Sequence, residues 1–228
     1  MVNLPVRVSA VAFDLDGTLL DTLPDIADAA DRMLVDLGRA PVGQEVVRRY
    51  IGNGIARLTK RLLTGEMNGK PPADLFDRAL ELFESHYRIT LTLRTQPYPG
   101  VEEGLRWFAR AGLKLACVTN KAESFTLPLL EATGLRQFFD LVLSGDSLPR
   151  KKPDPLPLLH CASRFGARPN ELLVVGDSAN DAEAARAAGC PVFCVPYGYR
   201  HGEMRDLDCD AIVDGLIEAT RLIIPLRS

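Results

Sequence analysis

Short apolar runs that alternate with longer segments of helical periodicity constrain the fold of this chain more than any other feature. In such a repeat each helix crosses over between two parallel strands. The apolar runs predict strands at Val8–Phe13, Leu113–Val118, Leu141–Leu143, Leu172–Val175 and Val192–Val195. The later intervening segments are long enough for crossover helices, and glycines stand where these would end, at Gly112, Gly134, Gly166 and Gly189. The pattern therefore predicts an α/β fold with a doubly wound parallel sheet.

One interval breaks this rhythm. About 100 residues of mostly helical pattern separate the first predicted strand from the second. A helix is expected to open at Pro24, and Pro97-Tyr98-Pro99-Gly100 is typical of a stiff turn through which the chain returns. We therefore expect an inserted helical domain at residues 21–97, and a core formed by residues 1–20 and 98–228.

Composition and charge exclude several classes of protein. The chain has 228 residues, a net charge of −3 and a pI near 5.7, so no electrostatic feature favours nucleic acid. No apolar run approaches the roughly 20 residues that span a bilayer, and no cleavable signal pattern is present. The five cysteines form no CxxC pair and are interpreted as reduced packing residues. We expect a cytoplasmic monomer or homodimer that has no membrane or nucleic-acid partner and binds a small molecule.

Two acidic segments directly follow predicted strands. Asp14-Leu15-Asp16-Gly17-Thr18 follows the first strand, and Gly176-Asp177-Ser178-Ala179-Asn180-Asp181 follows the fourth. Ligands bind beyond the carboxyl ends of parallel strands, and Mg²⁺ prefers oxygen ligands such as carboxylates. Each segment alone is also explained by an ordinary turn or helix cap.

A hydroxyl and a cation are predicted at the same edge of the sheet. Thr119 follows the second strand, and Lys152 precedes Pro153 in the loop after the third. Each could donate to phosphate oxygens, although a strand-end threonine is usually a cap and the Arg150–Lys152 run would ordinarily be a solvated surface. The conjunction of all these loops at one edge favours a catalytic site.

The chemistry-bearing residues fall into four segments, which are Asp14-x-Asp16-Gly17-Thr18, Thr119, Lys152 and Gly176-Asp177-x-x-x-Asp181. In order and spacing, these segments resemble the four motifs of the haloacid-dehalogenase (HAD) superfamily. The resemblance covers essentially the whole chain. Other segments are similar in particular to bacterial phosphoglycolate phosphatases, namely Val118-Thr119-Asn120-Lys121, Lys151-Lys152-Pro153, Gly176-Asp177-Ser178 and Tyr197-Gly198-Tyr199. The resemblance implies a Rossmann-like core, an inserted α-helical cap of the C1 type and a Mg²⁺-dependent phosphatase.

The resemblance also implies roles for the motif residues. Asp14 would be the nucleophile that forms an aspartyl-phosphate, and Asp16 the general acid and base. Thr119 and Lys152, with amides of the Asp16–Thr18 turn, would bind the transferring phosphoryl group, and Lys151 is the alternative to Lys152. The expected metal ligands are the side chains of Asp14 and Asp177 and the backbone carbonyl of Asp16, with Ser178 and Asp181 orienting them. The expected substrate contacts in the core are Gly17, Thr18 and Asn120.

The inserted domain is expected to close over the phosphate site and select the substrate. Gly52, Asn53, Gly54 and Arg57 are the candidate contacts to a substrate carboxylate. Alternatively, Asn53 simply caps the following helix and Arg57 is solvated. After the last core strand, Tyr197, Tyr199 and His201 either border the pocket or pack in the fold.

The expected partner is a small phosphorylated metabolite, and the most favoured function is hydrolysis of 2-phosphoglycolate. The motifs leave alternatives open. Another sugar, amino-sugar or nucleotide phosphatase, or a sugar phosphomutase, would use the same core. Dehalogenase chemistry does not require the general acid, so Asp16 counts against it. A non-catalytic, phosphate-responsive binding module also places acidic residues, a threonine and a lysine at strand ends. The long insertion and the Asp14-x-Asp16 pair count against that module, which needs neither a lid nor an acid for a leaving group.

Overall fold

The computed structural model describes residues 3–199 and 204–226. The chain divides into two compact units, a core unit formed by Met1–Leu20 and Pro97–Ser228 and a helical unit formed by Asp21–Gln96. Strands β1 to β10 span Val6–Val8, Ala10–Phe13, Leu20–Asp21, Gln96–Pro97, Lys114–Val118, Leu141–Leu143, Leu172–Gly176, Val192–Cys194, Ala211–Ile212 and Ile223–Pro225. Helices α1 to α9 span Leu23–Asp36, Gly43–Arg48, Ile55–Thr64, Ala73–Thr90, Val101–Arg110, Glu123–Ala132, Leu156–Phe165, Ala179–Ala188 and Leu216–Ala219.

The central sheet of the core unit is parallel, with strand order β6-β5-β2-β7-β8-β9. The predicted α/β class and doubly wound parallel sheet are confirmed. The prediction was wrong at the first strand, which is interrupted at Ser9: β2 enters the sheet, whereas β1 pairs in parallel with β10. The short β9 carries too weak an apolar pattern to have been predicted.

Apolar strands explain why the sheet is buried. All four residues of β2 and all five of β7 are buried, as expected for strands covered on both faces. Phe13 packs edge to face against Phe108 of α5, with ring centroids 5.5 Å apart. The crossover helices α5 to α8 end as predicted, because Gly112, Gly134, Gly166 and Gly189 have positive φ angles of 66° to 81°. Strand β2 and its neighbours in the central sheet therefore form a buried base for the loops that follow them.

The helical unit packs α1 against α4. A buried carboxylate ties its two ends together, because Asp25 in α1 accepts hydrogen bonds from the amides of Arg94 and Thr95 at 2.8 to 3.0 Å. The Thr95 hydroxyl donates to the same carboxylate at 2.8 Å. Among the described residues, no helix has the length and apolar character needed to cross a membrane.

The cysteines are free thiols, as predicted. Cys117, Cys161, Cys190 and Cys194 are buried, and Cys209 is partly exposed. Burial raises the pKa of Cys190 to about 12, which keeps its sulfur protonated and unreactive near neutral pH. These residues therefore contribute packing.

Candidate active site

Loops at one edge of the central sheet carry the polar side chains that the sequence singled out. Strands β6, β5, β2 and β7 are parallel neighbours in that order, so their carboxyl ends meet at one edge. The side chains that follow these ends are Lys152 after β6, Thr119 after β5, Asp14 and Asp16 after β2, and Asp177 after β7. Strand order, rather than closeness in sequence, therefore brings them to one place.

The ammonium group of Lys152 contacts two carboxylates. Its Nζ lies 2.8 Å from Asp14 Oδ1 and 2.6 Å from Asp181 Oδ1, and it also donates to the Val118 carbonyl oxygen at 2.6 Å. The Lys152 side chain is 3% exposed, whereas Lys151 is exposed. Burial lowers the pKa of Lys152, but the adjacent carboxylates outweigh burial and raise the pKa above its usual value. Lys152 therefore stays positively charged at the site.

Asp177 is held by donors on both carboxylate oxygens. Thr18 Oγ1 donates to Oδ1 at 3.1 Å, and the amide of Tyr199 donates to Oδ2 at 2.6 Å. Two glycines make room for this carboxylate: a Cβ on Gly17 would lie 2.6 Å from Asp177 Oδ2, and a Cβ on Gly198 would lie 2.1 Å from it. Thr18 and the two glycines thus fix the position of Asp177.

Asp181 links the first turn of α8 to the lysine. Its Oδ2 accepts from the Ser178 hydroxyl at 2.6 Å and from the Ser178 amide at 3.2 Å, which forms a capping box with the helix start. Its Oδ1 accepts from Lys152 at 2.6 Å. Ser178 and Asp181 therefore cap α8, and Asp181 can at the same time orient Lys152.

The carboxylates at this edge are crowded. Asp14, Asp177 and Asp181 each offer an oxygen atom, and these atoms all lie within 4.8 Å of one another. Burial raises the pKa of Asp14 to about 7 despite the opposing effect of Lys152. Burial, followed by the charges of Asp14 and Asp181, also raises the pKa of Asp177 well above its usual range. A hard divalent cation with oxygen ligands would relieve this excess of negative charge, so the donor set fits Mg²⁺.

Asp16 is paired with a cation that the sequence-based prediction missed. Lys121 Nζ donates to Asp16 Oδ1 at 2.8 Å and to Oδ2 at 3.0 Å. The Lys121 side chain is 4% exposed and that of Asp16 is 17% exposed. The available signal was the Thr119-Asn120-Lys121 segment, in which Lys121 lies two residues after a predicted phosphate-binding hydroxyl. Sequence spacing gave no reason to pair it with a residue 105 positions earlier.

Two further predicted residues, Thr119 and Asn120, form hydrogen bonds in the loop after β5. Thr119 Oγ1 accepts a hydrogen bond from the amide of Lys121 at 3.2 Å. Asn120 Nδ2 donates to the carbonyl oxygen of Lys152 at 2.9 Å. The second of these contacts joins the loop after β5 to the loop that carries Lys152.

Two amides of the Asp16–Thr18 turn donate hydrogen bonds to carbonyl oxygens of nearby residues in the same segment. The amide of Gly17 donates to the Leu20 carbonyl at 2.9 Å, and the amide of Thr18 donates to the Leu15 carbonyl at 3.4 Å. The expected contact of these amides with phosphoryl oxygens would compete with the turn hydrogen bonds. Gly17 adopts φ +85°, which only glycine adopts without strain, and this conformation allows the tight turn.

The aromatic residues after β8 contact the same turn. The Tyr197 hydroxyl donates to the Thr18 carbonyl at 3.1 Å, and the Tyr197 ring lies 4.3 Å from that of Tyr98. Tyr199 is 4% exposed and supplies the amide that binds Asp177. His201 lies outside the described residues. Packing and hydrogen bonding account for both tyrosines.

In the helical unit, the Gly52-Asn53-Gly54 loop precedes α3, which has no side-chain cap at its start. Asn53 Oδ1 accepts from Arg61 Nη2 at 3.0 Å, and Arg61 Nη1 donates to the Tyr50 carbonyl at 2.6 Å. Arg61 is 5% exposed and was not predicted, whereas Arg57 is exposed. The loop is therefore braced by a buried arginine.

Known proteins resemble this chain over most of its length. The family model of the haloacid dehalogenase-like hydrolases matches residues 8–189. The chain is 57% identical over 223 residues to the phosphoglycolate phosphatase of Nitrosospira multiformis, covering 97% of this chain and 98% of that protein. It is 54% identical over 224 residues to the phosphoglycolate phosphatase of Thiobacillus denitrificans, covering 98% and 99%. The crystal structure of a predicted phosphoglycolate phosphatase from Haemophilus somnus matches with a TM-score of 0.89 at 33% identity, covering 94% of this chain and 97% of that one.

Proposed function

The chain belongs to the haloacid dehalogenase-like hydrolases, and on that premise we propose that it is a Mg²⁺-dependent phosphatase that converts 2-phosphoglycolate to glycolate and phosphate. The names of relatives that are 57% and 54% identical support this substrate. One observation supports the reaction type above all: Lys152 Nζ lies 2.8 Å from Asp14 Oδ1, beside the carboxylates of Asp177 and Asp181. A carboxylate nucleophile, a cation and metal-binding oxygens are the components of phosphoryl transfer through a covalent aspartyl-phosphate.

Asp14 is the proposed nucleophile. One of its oxygens attacks phosphorus in line while the bond from phosphorus to the leaving alcohol oxygen breaks, which leaves an aspartyl-phosphate. Lys152 offsets negative charge on the phosphoryl oxygens. The Thr119 oxygen accepts from the Lys121 amide, so its hydrogen can point to a phosphoryl oxygen and help to orient that group.

Asp16 is the proposed general acid and base. It gives a proton to the leaving oxygen, so that glycolate departs as an alcohol. It then takes a proton from the water molecule that attacks the phosphorus of the aspartyl-phosphate, which releases phosphate and restores Asp14. Because one carboxyl group performs both transfers, Asp16 must be able to turn toward the reacting oxygen.

The proposed metal ligands are the three aspartates that the sequence motifs indicated. The side chains of Asp14 and Asp177 and the backbone carbonyl of Asp16 would hold Mg²⁺, and Ser178 and Asp181 would orient them. The bound ion would offset the charge of the carboxylates and of the phosphate group. Other proposed substrate contacts are Gly17, Thr18, Asn120, Gly52, Asn53, Gly54 and Arg57.

The test is phosphate release in the presence of Mg²⁺ from 2-phosphoglycolate, hexose phosphates, amino-sugar phosphates and nucleotides. The Asp14→Asn variant is the matched blank, because it keeps the shape of the side chain and removes the nucleophile. We expect 2-phosphoglycolate to give the highest kcat/KM and the variant to lose at least about 10³-fold of it. Preference for another ester would contradict the proposed substrate, and turnover by the variant at the wild-type rate would contradict the mechanism.

A further inference from the structure

The contact between Lys121 and Asp16 places a second buried cation at the candidate site. The ammonium group binds both oxygens of Asp16, at 2.8 and 3.0 Å, and its side chain is 4% exposed. The main chain of Lys121 is fixed as well, because its amide donates to Thr119 Oγ1 and its carbonyl accepts from the amide of Gly145 at 2.7 Å. The backbone of Lys121 is therefore held beside the site, and its buried side chain places the ammonium group against Asp16.

The position of Gly145 supports this rigidity. A Cβ at Gly145 would lie 2.2 Å from the Asn120 carbonyl oxygen, which shows how tightly the loop after β6 packs against the segment that carries Lys121. A buried ammonium group needs anionic or hydrogen-bond partners to offset its lost hydration. In the described structure Asp16 supplies two such contacts. When one Asp16 oxygen turns to the leaving oxygen of the substrate, it gives up its contact with Lys121.

The proposed substrate carries a group that can take that place. In 2-phosphoglycolate a single CH₂ group separates the leaving oxygen from the carboxylate carbon, a distance of about 2.5 Å from ordinary bond lengths. Asp16 must approach the leaving oxygen, and Lys121 lies within hydrogen-bond distance of Asp16. The substrate carboxylate would therefore come within reach of the Lys121 ammonium group.

We propose that Lys121 binds the carboxylate of the substrate and so selects 2-phosphoglycolate over phosphate esters without a carboxylate. This inference rests on the proposed function. An ester that lacks the carboxylate would leave the buried ammonium group with a lost contact when Asp16 turns. A site built to bind a charged group discriminates strongly against an analogue that lacks it, for this reason.

The test compares two esters in wild-type protein and in Lys121→Met, which keeps the length of the side chain and removes its charge. The esters are 2-phosphoglycolate and ethyl phosphate, which shares the leaving CH₂–O group without the carboxylate. Both esters lose whatever Lys121 contributes to holding Asp16. Only 2-phosphoglycolate also loses a charge-assisted contact, so the ratio of kcat/KM for the two esters should fall about 10- to 100-fold. We expect this further loss mainly in KM.

A ratio that is unchanged in Lys121→Met would overturn the proposal, because Lys121 would then only position Asp16. Lys121→Arg keeps the positive charge and should retain the larger part of the preference; equal loss in both variants would also count against it. If wild-type protein shows no preference for 2-phosphoglycolate over ethyl phosphate, the proposed substrate and this inference both fail. A wild-type preference for 2-phosphoglycolate that is unchanged in Lys121→Met would instead leave the proposed substrate standing and overturn only the role of Lys121. Thermal unfolding checks that both variants are folded.

Discussion

The two units of the chain each bury aspartate side chains, and the surroundings of these side chains differ. In the helical unit, Asp25 is 0% exposed and is met by donors from Arg94 and Thr95, including two amides and a hydroxyl. These donors satisfy the lone pairs of the carboxylate, and the Arg94 guanidinium also lies 3.9 Å from the partly exposed carboxylate of Asp28. Asp25 is therefore a structural residue that holds two ends of the unit together.

In the core unit, three aspartates offer oxygen atoms within 4.8 Å of one another. Lys152 pairs with Asp14 and Asp181, yet burial still raises the pKa of Asp14 to about 7. Burial alone therefore does not mark a functional carboxylate. A functional group is indicated where like charges crowd together and the fold leaves their charge to be offset by a ligand.

The largest effect is expected from the loss of the Lys152 cation in the core unit. We expect Lys152→Met to lower kcat/KM by about 10²- to 10³-fold, because the variant removes a donor to the phosphoryl oxygens and leaves the Asp14 and Asp181 carboxylates without their ion pair. Steady-state kinetics with saturating Mg²⁺ measure the loss.

The neighbouring lysine is the matched control for this variant. Lys151 is exposed, so Lys151→Met should change kcat/KM by less than about threefold. Equal losses in the two variants would show that the buried contacts of Lys152 do not decide which lysine serves the reaction.

A smaller effect, on stability rather than chemistry, is expected in the helical unit. Asp25→Asn replaces one acceptor oxygen with an amide donor that faces the donors of Arg94 and Thr95. We expect the free energy of unfolding to fall by about 2 to 4 kcal/mol, as for other broken buried hydrogen-bond networks. Denaturant unfolding measures this change. Asp25 lies outside the proposed chemistry, so kcat measured well below the unfolding midpoint should fall less than about tenfold, and a loss as large as that of Lys152→Met would contradict its structural role.

The sequence predicted most of the core unit because the relevant signals are local. Apolar runs marked the strands of the central sheet, and terminal glycines marked the ends of helices α5 to α8. The parallel topology then brought Asp14, Thr119, Lys152 and Asp177 to one edge without any further information. The candidate site could be located from sequence because the carboxyl ends of all strands in a parallel sheet lie at the same edge, whatever the strand order.

The residues that were missed are those whose partners lie far away in the chain or whose role depends on side-chain direction. Lys121 reaches a carboxylate 105 positions earlier, and Asp25 binds donors 69 and 70 positions later. Arg61 stands in an amphipathic helix, where an arginine is ordinarily solvated, yet it is 5% exposed and binds carbonyl and amide oxygens. Helical periodicity cannot show which of several basic residues turns inward.

The last prediction concerns the pH dependence of stability, and it tests whether the crowded carboxylates of the core unit take up a proton on folding. The pKa of Asp14 rises from 3.8 to about 7 on folding, so between about pH 4 and about pH 7 the folded state binds more protons than the unfolded state. The stability that this proton provides is present below about pH 4 and is lost as the pH rises through about 7.

Mg²⁺ favours the ionised carboxylate, so the stabilising effect of Mg²⁺ should grow between about pH 4 and about pH 7. Thermal unfolding with chelator and with Mg²⁺ should therefore show midpoints that diverge with rising pH, by about 2 to 4 °C for each kcal/mol. The Asp14→Asn variant has no carboxyl proton to lose at this position, so in chelator its unfolding midpoint should depend less on pH than that of the wild-type protein. If the midpoints of the two proteins depend on pH in the same way, Asp14 is not the group that takes up the proton and binds the metal.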